Sequence, residues 1–342
     1  MLQQTSCWKW RPLAGFLPLL SGMVLLLSIP LSGCQQSTAH TPLQPSPASI
    51  ATVQVIDPSD LETLHAFFES NGYDWDSLDS GVPPFIVTRF PEDHDHRMHP
   101  EEKKRTFLLS LLPMVLMANQ AIEAERQEIE TLLARHDQKG LLAPEEAQRL
   151  RDMADYYKLQ RDPLTDNRAR ALLLHRVDIL PPSLVLAQAA TESGWGTSRF
   201  AREGNNLFGQ RTYRTGNGIV PANRREGETH EVKRFGTLFE SVRSYMRNLN
   251  THNAYRELRD LRAQLRRNGQ PLNGAKLASG LDAYSTRNGD YINDVRAIIR
   301  ANGLTRANDT FLRAAVPHST PSFIPTLTEL LASSANAAEI PR

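Results

Sequence analysis

The stretch that most constrains this chain is Pro181-Pro182-Ser183-Leu184-Val185-Leu186-Ala187-Gln188-Ala189-Ala190-Thr191-Glu192-Ser193-Gly194. Proline in the first turn and glycine just past the end delimit a helix. Between them the helix is apolar nearly all round, so it must be buried, with other elements packed about it. That requirement points to a mainly helical fold with one central helix, and it places Glu192 where the buried cylinder ends. There the negative end of the helix dipole and the apolar surroundings both disfavour ionisation. A carboxyl that keeps its proton is what a general acid for glycoside cleavage needs. The alternative is a glutamate that simply emerges into solvent. Gln188 lies one turn earlier on the same face, placed to bind substrate or to orient the carboxyl.

The N-terminus has a separate logic. Lys9 and Arg11 precede an almost uncharged, Leu-rich run from Pro12 to Leu31, which ends in Leu31-Ser32-Gly33-Cys34. This is the layout of an export signal. Residues 1–34 are read as a lipoprotein signal peptide with Cys34 as the lipidated residue. The alternative is an uncleaved anchor, since the run approaches the roughly 20 residues that span a bilayer. Gln35 follows Cys34, and resemblance to sorted bacterial lipoproteins implies attachment to outer-membrane lipid, facing the periplasm. Cys7 is the only other cysteine and lies within the signal, so the mature part is expected to hold no internal disulfide.

Residues 35–56, rich in Ser, Thr, Pro and Ala, read as a flexible tether. Residues 57–160 read as a helical module: a helix over Asp60–Ser70, a long helical stretch over Glu101–His136, and another helix over Pro144–Gln160. Pro113 predicts a kink or two consecutive helices in the long stretch. Val82–Val87 is expected to be an apolar strand or loop. The histidine cluster Glu92–His99 offers metal-ligand types, but all from one segment, so a polar loop capping the next helix is the preferred reading. Residues 161–303 read as the catalytic domain, with a helix over Asp166–Arg176 and a last helix over Tyr291–Arg300 that Tyr291 packs against the core. Residues 304–342 read as a low-complexity tail, disordered or loosely docked.

With 39 basic and 38 acidic residues the 342-residue chain carries a formal charge of +1, so no global field recruits nucleic acid. Gly269–Lys276 is not a phosphate loop, because Ala275 separates Gly274 from Lys276 and no Ser or Thr follows the lysine. No His-Glu-x-x-His and no Gly-x-Ser-x-Gly occurs, which argues against a peptidase. No cofactor or metal is called for. Aromatic faces and side-chain amides suit sugar rings and their N-acetyl groups, and Trp195, Asn206 and Phe208 follow Glu192 closely.

The run Pro182–Gly209, PSLVLAQAATESGWGTSRFAREGNNLFG, resembles the catalytic segment of the glucosaminidase domain of bacterial autolysins, glycoside hydrolase family 73. With Thr229–Val232, Ser244–His252 and Ala254–Leu258, the chain resembles the Bax group of that family over residues 166–302. The resemblance implies a lysozyme-like α+β fold: a helical catalytic lobe with a small β-hairpin lobe, here preceded by a helical module. It implies cleavage of the GlcNAc-β-1,4-MurNAc bond of peptidoglycan glycan strands, with Glu192 as the acid and Tyr284 as a functional tyrosine. A second carboxylate is implied on the hairpin Gly216–Phe235, turning near Gly227, where Glu226 and Glu231 are the candidates. Gln188, Trp195, Asn206 and Phe208 are the candidate substrate contacts. The rival reading is an envelope lipoprotein that binds peptidoglycan without cutting it.

Overall fold

The computed structural model describes residues 53–314, apart from His96, Thr215, Asn217, Asn223, Arg225, Glu226, Thr286 and Asn288. Cys34 and the signal therefore lie outside the described residues, as does Glu226. The described residues all fall in one compact unit.

Ahead of the central helix come a strand β1 (Gln54–Ile56), helix α1 (Leu61–Ser70), a strand β2 (Phe85–Val87), and helices α2 (Pro100–Lys139), α3 (Pro144–Tyr156) and α4 (Asn167–Arg176). The Asp60 side chain caps α1 by accepting from Thr63 N at 2.8 Å, and Asp166 caps α4 in the same way. Strand β1 pairs in parallel with β2, Val55 opposite Ile86. The last residues of the stretch read as a tether are therefore part of the fold.

Helix α2 runs as one helix through Pro113, so the two consecutive helices are not present. Proline removes one backbone donor there, but Phe107–Val115 is buried throughout, and packing outweighs the lost bond. The helix is long and apolar enough to cross a membrane, yet 78% of that apolar window is buried within the protein. It is a core helix. Its Asn119 side chain pairs with the backbone of Leu180, donating to the carbonyl at 2.8 Å and accepting from the N–H at 3.0 Å. This contact fixes the entry to the central helix.

That helix, α5 (Pro182–Ser193), buries every residue except Thr191 and Glu192. It is followed by α6 (Arg199–Gly204), strands β3 (Arg211–Thr212), β4 (Gly218–Ile219) and β5 (Glu231–Lys233), then α7 (Leu238–Thr251), α8 (Arg256–Arg267), α9 (Gly274–Leu277) and α10 (Gly289–Ala301). The strands form one small antiparallel sheet in the order β3-β5-β4, with Ile219 opposite Val232. This is the hairpin lobe expected from the sequence, and Gly227 lies between its arms with φ of +85°. The architecture is mainly helical α+β. Helices α2, α9 and α10 pack on α5, and one hydrophobic cluster extends from Val53 to Ala307.

The segment after Leu304 differs from a loose tail as far as the described residues reach. A 3-10 turn over Leu304–Asn308 buries Leu304 and Ala307, and Asn308 Oδ1 accepts from Ser183 N at 3.0 Å, capping an open donor of α5. Leu312 then bridges to Val82.

Candidate active site

Glu192 occupies the last turn of α5, half-buried. The helix ends in a left-handed turn at Gly194, with Gly194 N and Trp195 N both donating to Ala190 O. Gly194, Trp195 and Gly196 then take positive φ in succession, at +59°, +61° and +83°. Only glycine does this freely, so Trp195 holds a conformation that the surroundings must impose. Ser193 Oγ accepts from Gly196 N at 2.8 Å and donates to Ala189 O at 2.6 Å, closing the turn.

The rest of the restraint comes from the N-terminal half of the chain. His94 is fully buried and its Nε2 lies 2.8 Å from the Trp195 carbonyl. A carbonyl can only accept, so Nε2 carries the proton. The ring stacks on Phe90 at 4.5 Å, and burial pushes its pKa down. The Trp195 indole stands edge-on to Phe107 of α2 at 5.6 Å, with Lys104 over its face. Among the described residues no cluster of three or more His, Cys, Asp and Glu side chains is arranged to hold a metal.

Facing Glu192 is a group of tyrosines from α7, α10 and the turns between them. The Tyr245 hydroxyl donates to Gln188 Oε1, Gln188 Nε2 donates to Tyr291 Oη at 2.9 Å, and the Tyr291 phenol is near enough to the Glu192 carboxyl to favour its ionised form. The Tyr284 ring stacks on Tyr291 at 5.3 Å and 9°, and its hydroxyl donates to Phe208 O at 3.3 Å. Burial raises the pKa of all three phenols, so they stay protonated and act as donors. Burial likewise raises the pKa of Glu192, and the Tyr291 hydrogen bond works against that rise.

The sequence-derived candidates separate here. Gln188 is completely buried and is spent on the two tyrosines, not exposed to a ligand. Asn206 is buried too. Its amide donates to Gln210 O and Lys233 O at 2.8 Å each, joining the segment after α6 to the sheet. Phe208 is buried and stacks face to face on Tyr245 at 3.8 Å. Glu231 is 4% exposed and accepts from Gly216 N and Gly218 N at 3.0 and 2.8 Å. In this structure these four side chains build the walls of the site. Tyr291, read from the sequence as a packing residue, is the phenol that reaches Glu192. Its place seven residues after Tyr284, at the start of a helix, was the signal available.

Residues 169–304 match the family model described as mannosyl-glycoprotein endo-beta-N-acetylglucosaminidase. The chain is also 37% identical over 210 residues to protein bax of Escherichia coli strain K12, an alignment covering 61% of this chain and 73% of that protein. The chain belongs to the bacterial glucosaminidase family. The alignment to the Bax relative is longer than the glucosaminidase window, so similarity extends beyond it. The glucosaminidase window holds Glu192, the sheet and the tyrosines, but not His94 or α2. The crystal structure of the catalytic domain of the autolysin Auto from Listeria monocytogenes aligns with 51% of this chain and 95% of its own, at 20% identity and a TM-score of 0.29. That score is too low to carry a statement about the fold.

Proposed function

We propose that this glucosaminidase-family protein hydrolyses the GlcNAc-β-1,4-MurNAc bond of peptidoglycan, with Glu192 protonating the leaving oxygen. The observation that carries the reading is the environment of that carboxyl. It ends a buried helix, burial raises its pKa, and one phenol from α10 favours its ionised form. Such a group holds a proton for delivery, then is stabilised as a carboxylate by the same phenol once the proton has left. A protein that only bound glycan would gain nothing from a half-buried acid whose pKa is raised. The attacking water is delivered by Glu226 or by the acetamido group of the substrate, since Glu231 is committed to backbone amides.

The test is to incubate purified full-length protein in detergent with murein and to identify the sugar at the new reducing ends by mass spectrometry. N-acetylglucosamine is expected there, and N-acetylmuramic acid would move the cut to the other bond. Glu192→Gln is expected to lower the rate at least ~100-fold, as loss of a general acid does. Equal product from both proteins would end the catalytic reading. We further propose an outer-membrane lipid anchor at Cys34. Cys34→Ala should release the protein from the membrane fraction, whereas retention would favour a membrane-spanning N-terminus.

A further inference from the structure

Helices α8, α9 and α10 enclose a cavity of about 640 Å³ that the proposed chemistry does not use. Its floor is aliphatic, from Leu261 and Leu265, and its rim carries three side-chain amides and three cations, Lys276, Arg296 and Arg300. No aspartate or glutamate lines it. Arg296 is held in place without a carboxylate, its Nε donating to Ala275 O at 3.0 Å and its Nη2 to Ser279 Oγ at 2.5 Å. Lys276 and Arg300 are exposed, and among the described residues neither forms an ion pair. Nearby Arg266, by contrast, is paired with Asp178 at 2.8 Å. In a chain whose charges nearly balance, three uncompensated cations around one concavity form a local positive field that an anion would relieve.

The lining also restricts the kind of anion. Side-chain amides pair with peptide groups, an aliphatic floor accepts methyl and methylene groups, and guanidinium and ammonium groups take carboxylates. Together they fit a short acidic peptide with small aliphatic side chains. The cavity is separate from the acid. Helix α9 crosses the N-terminal end of α5, where Gly274 has no room for a side chain, a Cβ there falling 2.3 Å from Ser183 Oγ. Glu192 lies nine residues further along the same helix, about 13 Å at 1.5 Å per residue.

We propose that this cavity binds the acidic peptide stem of peptidoglycan and so anchors the polymer while Glu192 acts on the glycan. The proposal rests on the reading of the substrate given above, and its primary test does not need turnover. Titration calorimetry of the full-length protein with the free tetrapeptide L-Ala-γ-D-Glu-diaminopimelate-D-Ala should show binding that weakens with salt. In the double variant Lys276→Glu, Arg300→Glu, which alters only exposed side chains, affinity should fall about ten-fold or more. Glu192→Gln should bind as wild type does, so a failed hydrolysis claim leaves this result readable. Absence of binding to wild type, equal affinity in the double variant, or equally effective competition by inorganic phosphate would each overturn the proposal. On murein the double variant should raise KM at unchanged kcat, and on glycan strands stripped of stems it should match wild type. A difference that persists on stripped strands would also overturn it.

Discussion

Gln188 Nε2 donates to the Tyr291 hydroxyl at 2.9 Å, which leaves that hydroxyl's own proton available to the Glu192 carboxyl whose ionised form it favours. Tyr245 fixes the amide in turn, since its hydroxyl donates to Gln188 Oε1 and leaves Nε2 as the end that faces Tyr291. Tyr245, Gln188 and Tyr291 thus form a buried hydrogen-bonded chain that leads to the acid. Tyr291→Phe removes the hydroxyl that favours the carboxylate, so burial alone acts on Glu192 and its pKa rises further. The alkaline limb of the kcat/KM profile, where the acid loses its proton, should move to higher pH, and kcat should fall about ten-fold. Both are read from murein hydrolysis across pH. An unmoved limb would remove Tyr291 from the machinery.

Glu192 should also cost the protein stability at neutral pH. Its folded-state pKa is raised above the ordinary 4.5. Between those two values the native state holds more protons than the unfolded state, so stability falls as pH rises through that window. Glu192→Gln escapes the penalty and can still accept from Tyr291. Thermal melts should therefore show the variant more stable at pH 7, by roughly 1 kcal/mol or about 2–4 °C. The difference should close below about pH 4, where both proteins carry a neutral side chain.

The central helix was readable in the sequence because Pro182, an apolar run and Gly194 each speak through local rules, and the structure bounds it at Pro182–Ser193. The hairpin lobe was expected from the family resemblance, with Gly227 marking its turn. What the sequence did not reveal depends on long-range contacts. His94 meets Trp195 across 101 positions, and Tyr291 meets Gln188 across 103. No periodicity encodes such pairs. Gln188, Asn206 and Phe208, read as substrate contacts, are buried and held by internal contacts. Polar and aromatic residues near an acid suggest ligand contacts, but here their burial assigns them to holding the walls. The strand at Gln54–Ile56 was hidden because a short strand depends on its partner, here Phe85–Val87, more than on its own composition.

Gly196 should tolerate no side chain. A Cβ there would sit 2.7 Å from Phe90 and 3.1 Å from His94 Nε2, at a φ of +83°. Gly196→Ala should therefore displace His94, free the Trp195 carbonyl and loosen the turn that carries Glu192. A stability loss of about 1–3 kcal/mol is expected, measured by urea unfolding, with a larger proportional loss in kcat than in KM. His94→Ala should reproduce the kcat loss by removing the same hydrogen bond from the other side. If His94→Ala lowers stability but leaves kcat intact, the N-terminal half supports folding alone.

The joint between α4 and α8 should fail when one carboxylate is neutralised. Arg262 is 1% exposed, and its guanidinium donates to the carbonyls of His175, Arg176 and Asp178 and to Asn250 Oδ1. Burial lowers its pKa to about 10, so it is charged at neutral pH and needs its counter-ion, Asp178, at 3.6 Å. Burial acts to raise the Asp178 carboxyl, but the Arg266 hydrogen bond and the charges of Arg262 and Arg266 outweigh it, and the net shift is downward. The stability this provides is complete above the ordinary value of 3.8 and is lost as pH falls through the lower folded value. Asp178→Asn leaves Arg262 buried without its partner and should cost about 3–5 kcal/mol at pH 7. Urea unfolding at pH 7 and again near pH 3 checks both parts, because the gap between wild type and variant must narrow in acid. A gap independent of pH would assign the loss to hydrogen-bond geometry and not to charge.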